Sequence, residues 1–167
     1  LGTAVLVLPW HNPVLLAEQI ATLDLLSEGR VDVGIGKGYR LSEFDGFCVS
    51  IEEADERFEE CLNVMTKSWT SDSPWSHKGT YWQYNDVIVE PTSSQLPHPP
   101  IGVAATSIGS SSIRVAGEKG WIPMSSSNLA PQYLGGHWLE VEDAAAEAGR
   151  TADRSQWRIG RDVFVAK

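Results

Sequence analysis

Two short segments concentrate residue types suited to holding an anion. Gly34-Ile-Gly-Lys-Gly38 places three glycines in five positions after an apolar run. Without Cβ atoms the backbone lies open to a ligand, and Lys37 sets a point charge beside free N–H groups. The pattern is not the dinucleotide fingerprint, which needs Gly-x-Gly-x-x-Gly opening directly into a helix. A tight turn after a strand accounts for the same glycines, so both readings stand. The second segment, Ala105-Thr-Ser-Ile-Gly-Ser-Ser-Ser112, joins a strand-like run to a helix-like one. Hydroxyls and N–H groups at a helix start favour bound anions. A single serine acting as an N-cap is the plainer alternative, but one cap does not need five hydroxyls.

The remaining reactive side chains form no motif. His11, His77, His98 and His137 are scattered, and their spacing pairs none of them with a nucleophile or a second metal ligand. No metal site and no catalytic residue is assigned. His11 follows the first apolar run, where it could exchange a proton near neutral pH or simply satisfy loop hydrogen bonds. Cys48 and Cys61 fit neither a zinc pattern nor a disulfide framework, which points to a reducing, cytoplasmic setting. Neither has a basic neighbour to activate a thiolate, so packing is the expected role. Trp10, Tyr39, Phe44 and Phe47 could wall an apolar pocket or pack their own loops. The acidic run from Glu52 to Glu60 reads as a solvated helix face.

The elements that must position these residues alternate. The 167 residues are 42% hydrophobic and 21% charged, enough for an ordinary packed core. Their 22 acidic and 13 basic residues, net charge -9, argue against nucleic acid or an anionic membrane as partner. The run Leu1 to Leu8 is too short to span a bilayer, lacks the flanks of a signal peptide, and reads as a buried strand from Gly2 to Leu8. A helix follows from Pro13 to Gly29, a strand over Val31 to Gly36, and a polar irregular stretch to Ser50. A long helix covers Ile51 to Trp69, with Ala54, Phe58, Cys61, Leu62, Met65 and Trp69 inward. Residues 70–100 form an irregular excursion or hairpin, with strands over Gly79 to Tyr84 and Val87 to Val89. Strands at Ile101 to Ala105, Trp121 to Ser125 and Arg158 to Val165 then alternate with helices ending near Glu118 and Ala148. This alternation implies an α/β fold of parallel strands with right-handed crossovers. A complete (β/α) barrel takes about 250 residues, so the chain is expected to be a piece holding five of eight strands.

Consecutive blocks then resemble the bacterial luciferase-like monooxygenases. His11-Asn-Pro-Val-Leu-Leu-Ala-Glu-Gln19, Leu23-Asp-Leu-Leu-Ser-Glu-Gly-Arg30 and Val31-Asp-Val-Gly-Ile-Gly-Lys-Gly-Tyr39 match in order and spacing. Phe44 to Val49, Arg57-Phe-Glu-Glu60, Pro99-Pro-Ile-Gly-Val-Ala-Ala105 and Ala116 to Gly120 follow in register, while Ser125-Ser-Ser-Asn-Leu129 and Gly136-His-Trp138 are similar to a limonene monooxygenase-like subgroup. The resemblance implies a TIM (β/α)8 barrel of the luciferase-like type, with about strands 3 to 7 present as one domain over residues 1–167. It implies reduced FMN from a separate NAD(P)H-dependent reductase, oxygen as oxidant, a small organic substrate, and a homo-oligomer. Ala4 and Val5 match the non-prolyl cis peptide that supports the flavin ring in the family. Lys37 matches an arginine on the flavin phosphate, and Gly36 a reactive cysteine beside the ring. Thr106 and Ser107 match the second phosphate-binding segment. The family's catalytic histidine lies on an earlier strand. An F420-dependent hydride-transferring oxidoreductase, and a truncated or non-catalytic flavin-binding relative, are the competing expectations.

Overall fold

The computed structural model of the chain describes residues 1–166, which divide into two compact units at Pro100 and Ile101. In the first unit, β1 (Leu6–Val7) and β2 (Val33–Gly36) pair in parallel, with Leu6 opposite Ile35 and Val7 opposite Gly36. The crossover between them is α1 (Pro13–Leu26). The Asn12 side chain accepts the Val14 and Leu15 N–H groups, both at 3.1 Å. Pro13 sits in the first turn, where its missing N–H costs nothing.

The short helix α2 (Leu41–Gly46) comes next, followed by α3 (Ala54–Thr70). Phe58, Cys61, Leu62, Met65 and Trp69 of α3 are all buried. The Trp69 indole N–H donates to the Ala17 carbonyl at 3.0 Å, tying α3 to α1. Each large apolar side chain so buried contributes roughly 1.5–3 kcal/mol. Asp24, fully buried in α1, accepts the Gln95 backbone N–H at 3.0 Å and its side-chain amide at 2.7 Å. That pair holds the proline-rich segment before Ile101 without an orphaned carboxylate. Between α3 and this segment lies the antiparallel hairpin of β3 (Trp75–Lys78) and β4 (Gln83–Val87).

In the second unit, β5 (Ile101–Ala105), β6 (Ile122–Ser125) and β7 (Arg158–Ile159) pair in parallel. The crossovers are α4 (Ser111–Lys119), closed by Gly120 in the left-handed conformation, and α5 (Leu134–Glu147). Ala105, Ile113, Trp138 and Val141 form its core, with Ala152 and Trp157 packed at the edge. Parallel strands with helical crossovers are the expected α/β pattern.

Several boundaries differ from the sequence reading. The first strand is only Leu6–Val7, preceded by a lone bridge from Gly2 to Asp32. Leu8–Trp10 winds into a 3-10 turn, because Pro9 has no N–H to give to a ladder. The last strand stops at Ile159, since β6 ends at Ser125 and leaves nothing beyond it to pair with. Val163, Phe164 and Val165 are accordingly exposed. The hairpin strands flank Gly79 to Trp82 rather than including them, and α2 replaces part of the irregular stretch.

Candidate functional site

The parallel pairing of β1 and β2 sets Val7 beside Gly36, so the segments after both strands emerge at one end. A Cβ on Gly36 would stand 2.9 Å from Val5 Cγ2, and one on Gly38 would stand 2.7 Å from Val7 Cγ1. Gly38 also has a φ of +80°, which L side chains rarely adopt. The Val5 and Val7 side chains, with Phe44, therefore fill the space beside the two glycines, and neither position has room for a Cβ. The Ala4–Val5 peptide is cis. Lys37 lies 18% exposed, its ammonium 2.8 Å from Asp55 at the start of α3 and 5.7 Å from the Phe58 ring centroid. The cation is thus partly desolvated yet engaged by a carboxylate that is itself 78% exposed. An exposed partner holds a charge weakly, so a bound anion can compete for it.

Aromatic packing follows immediately. Trp10 stacks on Phe47 at 4.8 Å and meets Phe44 edge-on at 5.2 Å, while Phe44 is fully buried. Tyr39 is 55% exposed, outside this cluster. The Trp10 indole N–H is buried without a partner among the described residues, an open donor in an otherwise apolar wall. Burial pushes the His11 imidazolium below the ordinary histidine value, so its neutral ring prevails at pH 7.

In the second unit, Thr106 and Ser107 follow β5 and lead to the start of α4. Ser110 occupies the N-cap position, yet its side chain makes no cap hydrogen bond. The capping explanation of the serines therefore fails at the position that should carry it, and the first N–H groups of α4 have no hydroxyl cap from Ser110. Such a terminus, with Thr106 and Ser107 beside it, suits a phosphate.

Two arrangements escaped sequence reasoning. Glu60, read as part of a solvated acidic face, is 13% exposed at its side chain. Its Oε2 accepts the Thr80 and Tyr81 N–H groups at 3.0 Å, and its Oε1 accepts that of Trp82 at 3.0 Å and meets His77 Nε2 at 3.1 Å. Burial pushes this carboxyl upward, but the hydrogen bonds from Tyr81, Trp82, His77 and Thr80 outweigh it and hold it below the ordinary glutamate value. His137, unassigned by spacing, is buried between Ser125 and Ser107. The thiol of Cys61 is buried, and burial with the nearby Glu60 charge pushes it up to about 12; Cys48 is exposed instead of packed. No cluster of metal-ligating side chains occurs among the described residues, nor any helix long and apolar enough to cross a membrane.

The model of the luciferase-like monooxygenase family matches residues 1–167. The chain is 30% identical to limonene 1,2-monooxygenase of Rhodococcus erythropolis, over 100% of the chain and 43% of that protein. It superposes with a TM-score of 0.85 and 29% identity on the oxygenating constituent of 3,6-diketocamphane monooxygenase from Pseudomonas putida, solved in complex with FMN, covering 95% of the chain and 46% of that one. An F420-dependent secondary alcohol dehydrogenase, in complex with an F420-acetone adduct, matches with a TM-score of 0.70 and 25% identity, over 89% of this chain and 44% of that one. The chain spans less than half the length of these relatives.

Proposed function

Since the chain belongs to the luciferase-like monooxygenase family, we propose that the protein is an FMN-dependent monooxygenase oxidising a small organic substrate with molecular oxygen. One observation carries this reading: monooxygenases match along essentially the whole chain, not at an isolated motif. A separate NAD(P)H-dependent reductase supplies the reduced flavin, and the two unpaired cysteines suit a reducing cytoplasm. Residues 1–167 form one partial luciferase-like barrel domain with the β3–β4 hairpin as its excursion.

Bound flavin would supply the electron transfer and oxygen activation, chemistry that no side chain here performs. The residues present fit such a group. Ala4, Val5 and Gly36 lie together, with Val5 packed on Gly36 so closely that a Cβ there would clash, and would support a flat ring. Lys37 offers a largely buried cation for a phosphate, and Thr106 and Ser107 offer hydroxyls in the segment that leads from β5 to α4. Phe44, buried beside Gly38 and met edge-on by Trp10, gives this end an apolar wall.

The test is turnover of the full-length protein with a flavin reductase, NADH, 18O-labelled oxygen and a panel of monoterpenes and cyclic ketones, the substrates that the relatives' names suggest. Incorporation of one labelled oxygen atom into product supports the reading. Hydride transfer from reduced F420 without oxygen uptake would replace it with the oxidoreductase reading that the F420-dependent neighbour favours. Loss of both activities with flavin binding retained would indicate a non-catalytic relative.

A further inference from the structure

A buried polar chain runs through the second unit to the turn after β5. The Trp157 indole N–H donates to Ser125 Oγ at 2.9 Å, Ser125 Oγ lies 3.0 Å from His137 Nδ1, and His137 Nε2 lies 2.8 Å from the Ser107 carbonyl oxygen. Ser125 and His137 are each 2% exposed. The two ends of the chain fix its polarity. A carbonyl only accepts and an indole N–H only donates, so the ring nitrogen facing Ser107, Nε2, carries a proton, and the Ser125 hydroxyl, accepting from Trp157, is left to donate to Nδ1. Every group in the line is then satisfied, which is the condition for a buried polar network to rigidify its surroundings.

We propose that His137 is a positioning residue for phosphate binding, orienting the Ser107–Ile108 peptide so that the Ile108 N–H faces the bound group. A trans peptide holds its C=O and N–H in opposite directions. Drawing the Ser107 carbonyl toward His137 therefore turns the Ile108 N–H away from the core, on a turn where Ile108 itself is 63% exposed. The hydroxyl-bearing residues Thr106 and Ser107 are held in the same turn. This inference rests on the proposed flavin role of that turn, and it adds a residue 30 positions away that touches no ligand itself.

The experiment compares FMN with riboflavin, which lacks only the phosphate, by flavin fluorescence titration against full-length wild type and two variants. His137→Gln retains a donor where Nε2 stood, whereas His137→Asn retains only the partner facing Ser125. His137→Asn is expected to weaken FMN roughly tenfold, the loss of about one hydrogen bond's worth of orientation, with riboflavin unchanged. His137→Gln is expected to recover most of the affinity. Nitrogen-15 spectra of labelled histidine in the flavin-free protein are expected to show His137 protonated at Nε2. Should His137→Asn fail to fold, Ser125→Ala, which frees the ring from its tautomer lock, gives the same FMN-selective loss at smaller size. Undiminished preference of His137→Asn for FMN over riboflavin, or protonation at Nδ1, overturns this inference alone. Equal affinity of the wild type for the two flavins overturns the phosphate reading together with it.

Discussion

Replacing Glu60 removes an acceptor from four donors at once. Its carboxylate crosses from α3 to the β3–β4 turn and holds the Thr80, Tyr81 and Trp82 N–H groups and the His77 ring within 3.0–3.1 Å. A hydrogen bond to a charged group is worth about 1.5–3 kcal/mol. Three of these donors belong to a turn bordering water and rehydrate once freed, so screening removes much of that sum. Glu60→Ala is expected to cost about 2–3 kcal/mol in urea denaturation at pH 7, and to speed proteolysis between Gly79 and Trp82. Glu60→Gln keeps the shape but turns an amide N–H2 toward two of the donors, at a cost of about 2 kcal/mol. The pH dependence gives the sign. The folded carboxyl titrates below its ordinary value of 4.5, so its stabilisation is fully present above that pH and lost as pH falls through the lower folded value. The gap between wild type and Glu60→Gln should therefore close on acidification below 4.5. A gap under about 0.5 kcal/mol at pH 7, the ordinary range for a surface change, or one that persists undiminished in acid, refutes the reasoning.

Asp55→Asn removes one exposed partner of Lys37; stability should move by less than about 0.5 kcal/mol in urea denaturation. Lys37→Met should weaken FMN about tenfold and leave riboflavin unchanged in flavin fluorescence titration, as loss of one charge-assisted phosphate contact demands. Gly117→Ala would put a Cβ 2.4 Å from the Val141 carbonyl oxygen, across the contact of α4 with α5, and should cost about 1–3 kcal/mol by thermal or urea unfolding. At pH 8 a thiol reagent should modify exposed Cys48 and spare Cys61, whose thiol is pushed up to about 12, until the chain is unfolded; mass spectrometry of the labelled peptides distinguishes them.

Much of the fold was legible because it rests on periodicity. Ala54, Phe58, Cys61, Leu62, Met65 and Trp69 recur at helical spacing, and all are buried in α3. Ile101 to Ala105 is apolar on both faces and forms β5 with those same bounds. Periodicity does not report pairing partners, so the apolar ends of the chain suggest longer strands than the ladders allow. Six residues are too few to display a helical period, which hid α2. In the candidate site, the glycines and serines announced themselves by local density. Glu60 and His137 did not, because their partners lie 17–22 and 12–30 residues away and only the folded chain brings them together. Asp55 is the solvated acid that the run suggests, 78% exposed, and only the folded chain sets it against Lys37.

The most direct measurement is an anaerobic titration of the full-length protein with reduced FMN and, separately, with reduced F420, followed by fluorescence or calorimetry. The account predicts saturable binding of reduced FMN at least tenfold tighter than that of F420, a difference of about 1.4 kcal/mol. Saturable binding of F420 with none of reduced FMN would contradict it.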